Sequence, residues 1–200
     1  MAVFLPRLVV ATGNRGKLRE LESLLAGFAG EIVPQSRLGI PSPPETETTF
    51  RGNALLKARH AAALAGLPAL ADDSGLEVDA LGGRPGVYSA RYAGESASDE
   101  ENNALLLREL AAVAEPRSAR YRCAIALVRG AQDPEPLVVA GAWEGRIARA
   151  PRGDGGFGYD PLFLVGTGAL TAAELPAEEK NRVSHRALAL RELIRRLAAT

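Results

Sequence analysis

A single cysteine, Cys123, is all the thiol this 200-residue chain carries. No internal disulfide can form, no Cys/His catalytic constellation is suggested, and a reducing, cytoplasmic setting is expected. An excess of charge is missing too. Lys and Arg number 24 and so do Asp and Glu, giving zero net charge. The basic surface expected of a nucleic-acid or membrane binder is therefore absent. A few convergent cations could still hold a small polyanion inside a neutral protein. No apolar run approaches the roughly 18 residues that a membrane span needs. The N-terminus is only briefly apolar and shows no signal peptide. What the chain does have is 46% hydrophobic residues, enough to bury the core of one domain over residues 1–200, with room for two lobes around a cleft.

Periodicity predicts helices and strands in alternation. A strand over Leu8–Ala11 runs into the turn Thr12-Gly13-Asn14-Arg15-Gly16-Lys17, followed by a helix with Leu18, Leu21, Leu24 and Leu25 on one face. Ile32-Val33 is a second strand, and residues 34–49 form a proline-broken loop. A helix starts near Thr48 or Thr49 and ends at Gly66, burying Ala54, Leu55, Ala58, Ala61, Ala62 and Ala65. Leu67–Ala71 is a buried strand ended by Asp72-Asp73-Ser74-Gly75, and Gly82–Gly86 is a turn. A capping box, Ser98 to Glu101, opens a third helix that stops before Pro116. Strands over Arg120–Val128 and Leu137–Trp143 form a hairpin, Leu162–Val165 is another strand, and a last helix spans Ser184–Ala198. Helices interleaved with strands early and a hairpin late imply an α/β protein with a mixed sheet flanked by helices. Sites in such folds favour loops at the carboxyl ends of strands.

Several segments offer chemistry, each with a plainer alternative. The Thr12–Lys17 turn leads into a helix N-terminus, where free N–H groups favour an anion. It is no Walker loop, since its glycines are too close and Leu18 stands where a Ser/Thr would bind metal; alone it reads first as an ordinary tight turn. Asp72 and Asp73 follow a strand and point opposite ways, so one can face a site while the other faces structure. A carboxylate there can hold Mg²⁺ or accept a proton, but a turn opening on Asp is equally natural. Glu45 and Glu47 could add a metal oxygen or be solvated loop. Asn53 and Lys57 lie one helical turn apart and can converge on a ligand, or form a solvated face with His60. Gly155-Gly156-Phe157-Gly158-Tyr159-Asp160-Pro161 combines close backbone approach with two aromatics that could stack on a base. Lys180, Ser184, His185 and Arg186 offer cations and donors before the last helix. Cys123 reads as a buried hydrophobe, His60 as surface and Trp143 as core or interface.

Taken together, these segments resemble the inosine triphosphate pyrophosphatase family, the dITP/XTP pyrophosphatases. The likeness covers nearly the whole chain. It rests on Thr12-Gly13-Asn14 with Lys17, Phe50 with Asn53-Ala54 and Lys57-Ala58, Ala71–Leu76, Pro85–Tyr92, Gly155–Pro161, and Lys180 with Ser184-His185-Arg186. The resemblance implies a curled mixed sheet, two lobes enclosing a substrate cleft, a homodimer, and Mg²⁺-dependent hydrolysis of ITP, dITP and XTP to the monophosphate and pyrophosphate. It implies Asp73 as proton acceptor and metal ligand, Glu45 as the second metal carboxylate, and Ser74 as a substrate contact. Thr12, Gly13, Asn14, Arg15, Gly16, Lys17, Lys57 and Lys180 would hold the triphosphate, with Asn53 a further substrate-binding residue. Phe157 would stack on the base, with Gly158, Tyr159 and Asp160 completing that wall, and His185 and Arg186 would read the purine edge. Where relatives often carry Gly, this chain has Glu47, so either Glu45 or Glu47 could approach the metal. The rival readings are a pyrophosphatase for other modified nucleotides and a nucleotide-binding regulator without hydrolysis.

Overall fold

Leu8, Val10 and Leu70 are buried on one side of the first strands, and Val9, Ala11, Ala69 and Ala71 on the other, so these strands are covered on both faces. That is the pattern of a parallel sheet with helices on either side. The computed structural model describes residues 5–199. In chain order the elements are β1 (Leu5–Val10), α1 (Arg15–Leu24), β2 (Ala29–Pro34), α2 (Phe50–Ala65), β3 (Ala69–Val78), α3 (Asp99–Glu109), β4 (Ser118–Val128), β5 (Leu137–Ile147), β6 (Phe163–Val165), α4 (Ala177–Val183) and α5 (His185–Leu197). The strands form one sheet in the order β2-β1-β3-β4-β5-β6. β1 pairs in parallel with β2 and with β3, while β5 and β6 are antiparallel, so the sheet is mixed, as the element pattern implied.

The chain divides into two compact units. The first comprises Met1–Asp73, Cys123–Gly141 and Arg186–Thr200, the second Ser74–Arg122 and Ala142–His185. In the first unit, Leu21 and Leu25 of α1 and its cap pack with Leu190 and Leu193 of α5 against Leu8, Val10, Leu70 and Ile125. On the opposite face α2 presents Ala54, Ala58, Ala61 and Ala62 to Val9, Ala69 and Ala71, and small side chains there let helix and sheet approach closely. The second unit has its own core, in which Leu76, Val78, Leu106 and Leu110 surround an aromatic group of Tyr121, Trp143 and Phe163.

The helix signals hold at atomic level. Thr49 caps α2 through Gly52 N, Gly66 ends it at φ 64°, and both halves of the Ser98–Glu101 capping box are formed. β3 is longer than its apolar run implies. Asp72-Asp73-Ser74-Gly75 does not end the strand, which runs through it to Val78 with Leu76 and Val78 fully buried. A charged pair breaks a buried strand only if its charges go unmet, and here both carboxylates have cations opposite them. The final segment also differs: Ser184 is extended, at φ −68° and ψ 160°, and separates α4 from α5.

Candidate active site

β1 ends at Val10, which lies opposite Leu70, while β3 carries on past that point. Ala11 N donates to Leu70 O at 2.8 Å. The register therefore sets Asp72 and Asp73 alongside the turn that leaves β1. With β2 and β3 on opposite sides of β1, this is where parallel sheets form ligand crevices. In the turn, Thr12 Oγ1 accepts from Asn14 N at 3.2 Å, and Asn14 caps α1 by accepting from Lys17 N at 2.9 Å. Gly13 is held close to the 41–44 loop, since a Cβ there would lie 3.1 Å from Ser42 Oγ. Arg15 is exposed, Gly16 buried and Lys17 half-buried.

The two aspartates face opposite ways, as alternation along a strand requires. Asp72 turns toward α1 and α5. Arg186 Nε and Nη2 reach its Oδ2 at 3.2 and 3.1 Å, and Lys17 Nζ lies 3.5 Å from the same oxygen. Burial pushes the Asp72 carboxyl up, but Lys17, Arg186 and Lys57 outweigh it and hold it well below the ordinary range. Arg186 is itself 1% exposed and bonds Glu20 through Nη1, so its guanidinium is occupied by two carboxylates. Glu20 carries no motif that marks it in the sequence. Its spacing one turn beyond Lys17 was the available signal.

Asp73 turns toward α2. Lys57 Nζ bridges Asp73 Oδ1 at 2.8 Å and Glu45 Oε1 at 2.9 Å, and Asn53 Nδ2 reaches Asp73 Oδ2 at 3.2 Å. Asn53 Oδ1 also accepts from Glu47 N at 3.0 Å, tying the 45–47 loop to the helix. Asn53 and Lys57 are thus buried, not on a solvated face, and His60 on the next turn is half-buried with Nε2 3.0 Å from Pro41 O. Glu45, not Glu47, shares the Lys57 ammonium with Asp73. Burial raises the Asp73 carboxyl above its ordinary value, and Lys57 and Lys17 oppose this without cancelling it. Burial also works against the Lys57 ammonium, but Asp73, Asp72 and Glu45 keep its pKa above the ordinary lysine value.

Among the described residues, no group of three or more His, Cys, Asp and Glu is gathered to cage a metal. Two carboxylates on one ammonium instead fit a hard cation that takes one or two protein oxygens and completes its shell with phosphate and water.

The second unit holds the glycine loop. Gly155 N donates to Ala173 O at 3.1 Å, and Gly156 has φ 75°, with a would-be Cβ only 2.0 Å from Asp160 Oδ2. That Asp160 oxygen accepts from Phe157 N at 2.9 Å and pairs with Lys180 Nζ, while its Oδ1 accepts from Tyr121 OH at 3.2 Å. The Lys180 ammonium lies 4.9 Å from the Phe157 ring centroid. Lys180, expected with the triphosphate lysines, is committed within this unit to Asp160 and Phe157. Tyr159 is buried with its hydroxyl on Ser89 O at 2.8 Å, so Tyr159 and Asp160 lie in the support of the loop and Phe157 is its half-exposed aromatic. The His185 ring stacks on Tyr121 at 4.7 Å, and Trp143 belongs to the same core cluster. Ser74 is half-buried in β3, next to Asp73.

Residues 8–196 match the profile of the Ham1 family. The chain is 57% identical over 194 residues to a dITP/XTP pyrophosphatase of Methylococcus capsulatus, covering 96% of each sequence. It is 56% identical over 189 residues to the dITP/XTP pyrophosphatase of Shigella flexneri, covering 94% of this chain and 96% of the relative. Its fold matches a HAM1 protein from Coxiella burnetii with a TM-score of 0.87 and 48% identity, over 97% of this chain and 99% of that one. By sequence and by fold, this chain belongs to the Ham1 family.

Proposed function

We propose that this protein is a pyrophosphatase of one domain that hydrolyses non-standard purine nucleoside triphosphates, such as ITP, dITP and XTP, to the monophosphate and pyrophosphate. The observation that carries the reading is the Asp73–Lys57–Glu45 group beside the β1–α1 turn. It puts a proton acceptor next to cations and capped backbone amides, in a chain 57% identical to a dITP/XTP pyrophosphatase. The reaction is attack of water on the α-phosphorus. The new P–O bond forms as the bond to the oxygen bridging to the β-phosphorus breaks, and pyrophosphate leaves.

Asp73 orients the water and takes its proton, and a carboxyl raised by burial is a better base for this than an ordinary aspartate. Lys17 and Lys57, with the amides of the Thr12–Lys17 turn, stabilise the charge that grows on the leaving pyrophosphate. Mg²⁺, held by Asp73 and Glu45, would neutralise phosphate oxygens. Asn53 keeps Asp73 and the 45–47 loop in register. In the second unit Phe157 stacks on the purine, while Lys180 and Asp160 hold that ring in place and His185 serves the purine edge. Arg186 donates to the oxygen at purine position 6, exchanging a carboxylate partner for it. Adenine offers an amino group there, which accepts nothing from Arg186, so the carboxylate partner would be given up without replacement. The same reading makes the protein a cytoplasmic homodimer. No described helix is long and apolar enough to cross a membrane.

The test is to incubate the protein with Mg²⁺ and ITP, XTP, dITP, ATP, GTP or dTTP, assaying pyrophosphate and orthophosphate separately. Pyrophosphate from the first three, with little from the others, is expected. Orthophosphate as the direct product would mean attack at the γ-phosphorus, and ITP binding without any release would leave a regulator.

A further inference from the structure

The glycine loop is also gripped from α3, by residues that carry no role so far. Gly158 N donates to Asp99 Oδ2 at 2.6 Å, and Asn103 Nδ2 donates to Gly158 O at 2.9 Å. Asp99 and Asn103 stand one turn apart at the start of α3, so their side chains share a face. A carboxylate in this first turn is also favoured by the helix dipole. The bond to Gly158 is the only hydrogen bond of the Asn103 side chain among the described residues, and its buried Oδ1 has no protein partner.

Gly158 has φ 62° and separates two anchored neighbours. Phe157 is tied through its amide to Asp160, and Tyr159 through its hydroxyl to Ser89. Gly158 is thus the joint of the loop, with the least steric restriction on its dihedrals. Fixing both of its backbone groups removes that freedom at the residue next to the half-exposed ring.

We propose that Asp99 and Asn103 are positioning residues that pre-organise Phe157 for the purine by clamping both backbone groups of Gly158. The proposal rests on the pyrophosphatase reading for its substrate, but the clamp can be measured without turnover. Without the clamp the loop would be ordered only when nucleotide binds, and that entropy would appear in binding, not in the chemical step.

The experiment compares wild type with Asp99→Ala, Asp99→Asn and Asn103→Ala. It reads kcat and KM for ITP, and hydrogen exchange of the peptide spanning residues 155–161 in the free protein. Asp99→Ala should raise KM about tenfold, the equivalent of one charge-assisted hydrogen bond, with kcat within about twofold. Asn103→Ala should move KM in the same direction, and both variants should speed exchange in that peptide. Asp99→Asn keeps an oxygen that can accept from Gly158 N and should stay within about threefold of wild-type KM. An unchanged KM in Asp99→Ala, equal losses in Asp99→Asn and Asp99→Ala, or a fall in kcat with constant KM would each overturn the proposal. If the wild type releases no pyrophosphate from ITP, the functional reading has failed. The exchange rates then still decide whether the clamp exists.

Discussion

Lys57→Met removes one ammonium and keeps most of the stem that packs beside it. In the wild type that ammonium is the shared partner of Asp73 and Glu45, at 2.8 and 2.9 Å, with side chains 6% and 26% exposed. Breaking a buried pair by deleting one partner costs about 3–5 kcal/mol, because a charge is left buried and uncompensated. The lower end applies here, since Asp73 keeps its bond from Asn53 and Glu45 can turn toward water. At about 2–4 °C per kcal/mol for a chain of this size, a loss of about 3 kcal/mol lowers the thermal midpoint by about 6–12 °C at neutral pH.

The pH dependence gives a second handle. Native Asp73 already binds its proton more readily than an unfolded aspartate, and losing Lys57 raises its pKa further. The variant can therefore shed its buried charge by protonation, and the gap to wild type should narrow as pH falls toward 5 and below. It should also narrow in strong alkali, because the wild-type ammonium, whose folded pKa lies above 10.5, is then itself lost. Differential scanning calorimetry of both proteins from pH 4 to 8 measures the gap. A midpoint shift under about 2 °C at pH 7, or a gap that is flat with pH, would refute the bridging role.

Asp73→Asn should bind ITP but release pyrophosphate at least about a hundredfold more slowly, and near-normal turnover would remove Asp73 as the base. Arg186→Ala should lose most of the preference for ITP over ATP and also lower the thermal midpoint, since buried Asp72 loses its main partner; a lower midpoint with unchanged preference would confine Arg186 to the ion pair. Gly156→Ala places a Cβ on Asp160 Oδ2, whereas Gly158→Ala meets nothing within 4 Å, so the first should raise KM for ITP well above the second. Equal effects would mean that φ strain, not the Asp160 contact, governs the loop. Burial pushes the Cys123 thiol up to about 12, so Ellman's reagent should find no thiol in the native protein and one in guanidinium chloride. Rapid native labelling would contradict its buried place.

Local chemistry made much of this molecule legible in its sequence. Apolar period, the Thr49 and Ser98 caps, and the Gly66 stop are short-range signals, and they placed both ends of α2 and the start of α3 closely, although α3 ends at Glu109, well short of Pro116. The alternation of adjacent strand residues foretold that Asp72 and Asp73 would point opposite ways, and they do, one toward α1 and α5 and the other toward α2. The family resemblance on the loop motifs anticipated the Ham1 fold. Sequence alone could not choose between Glu45 and Glu47, because which carboxylate meets Lys57 depends on how the 41–49 loop folds back on α2. It likewise ended β3 at Asp72, since a charged pair stops a buried strand unless cations wait opposite, and those cations come from α1, α2 and α5. Nor did it reveal Glu20, Asp99 or Asn103, whose partners lie 166, 59 and 55 residues away in the chain. Periodicity and capping act within a few residues and are written locally. Charge pairing and loop clamping act across the fold, and only the packed chain decides which side chains meet.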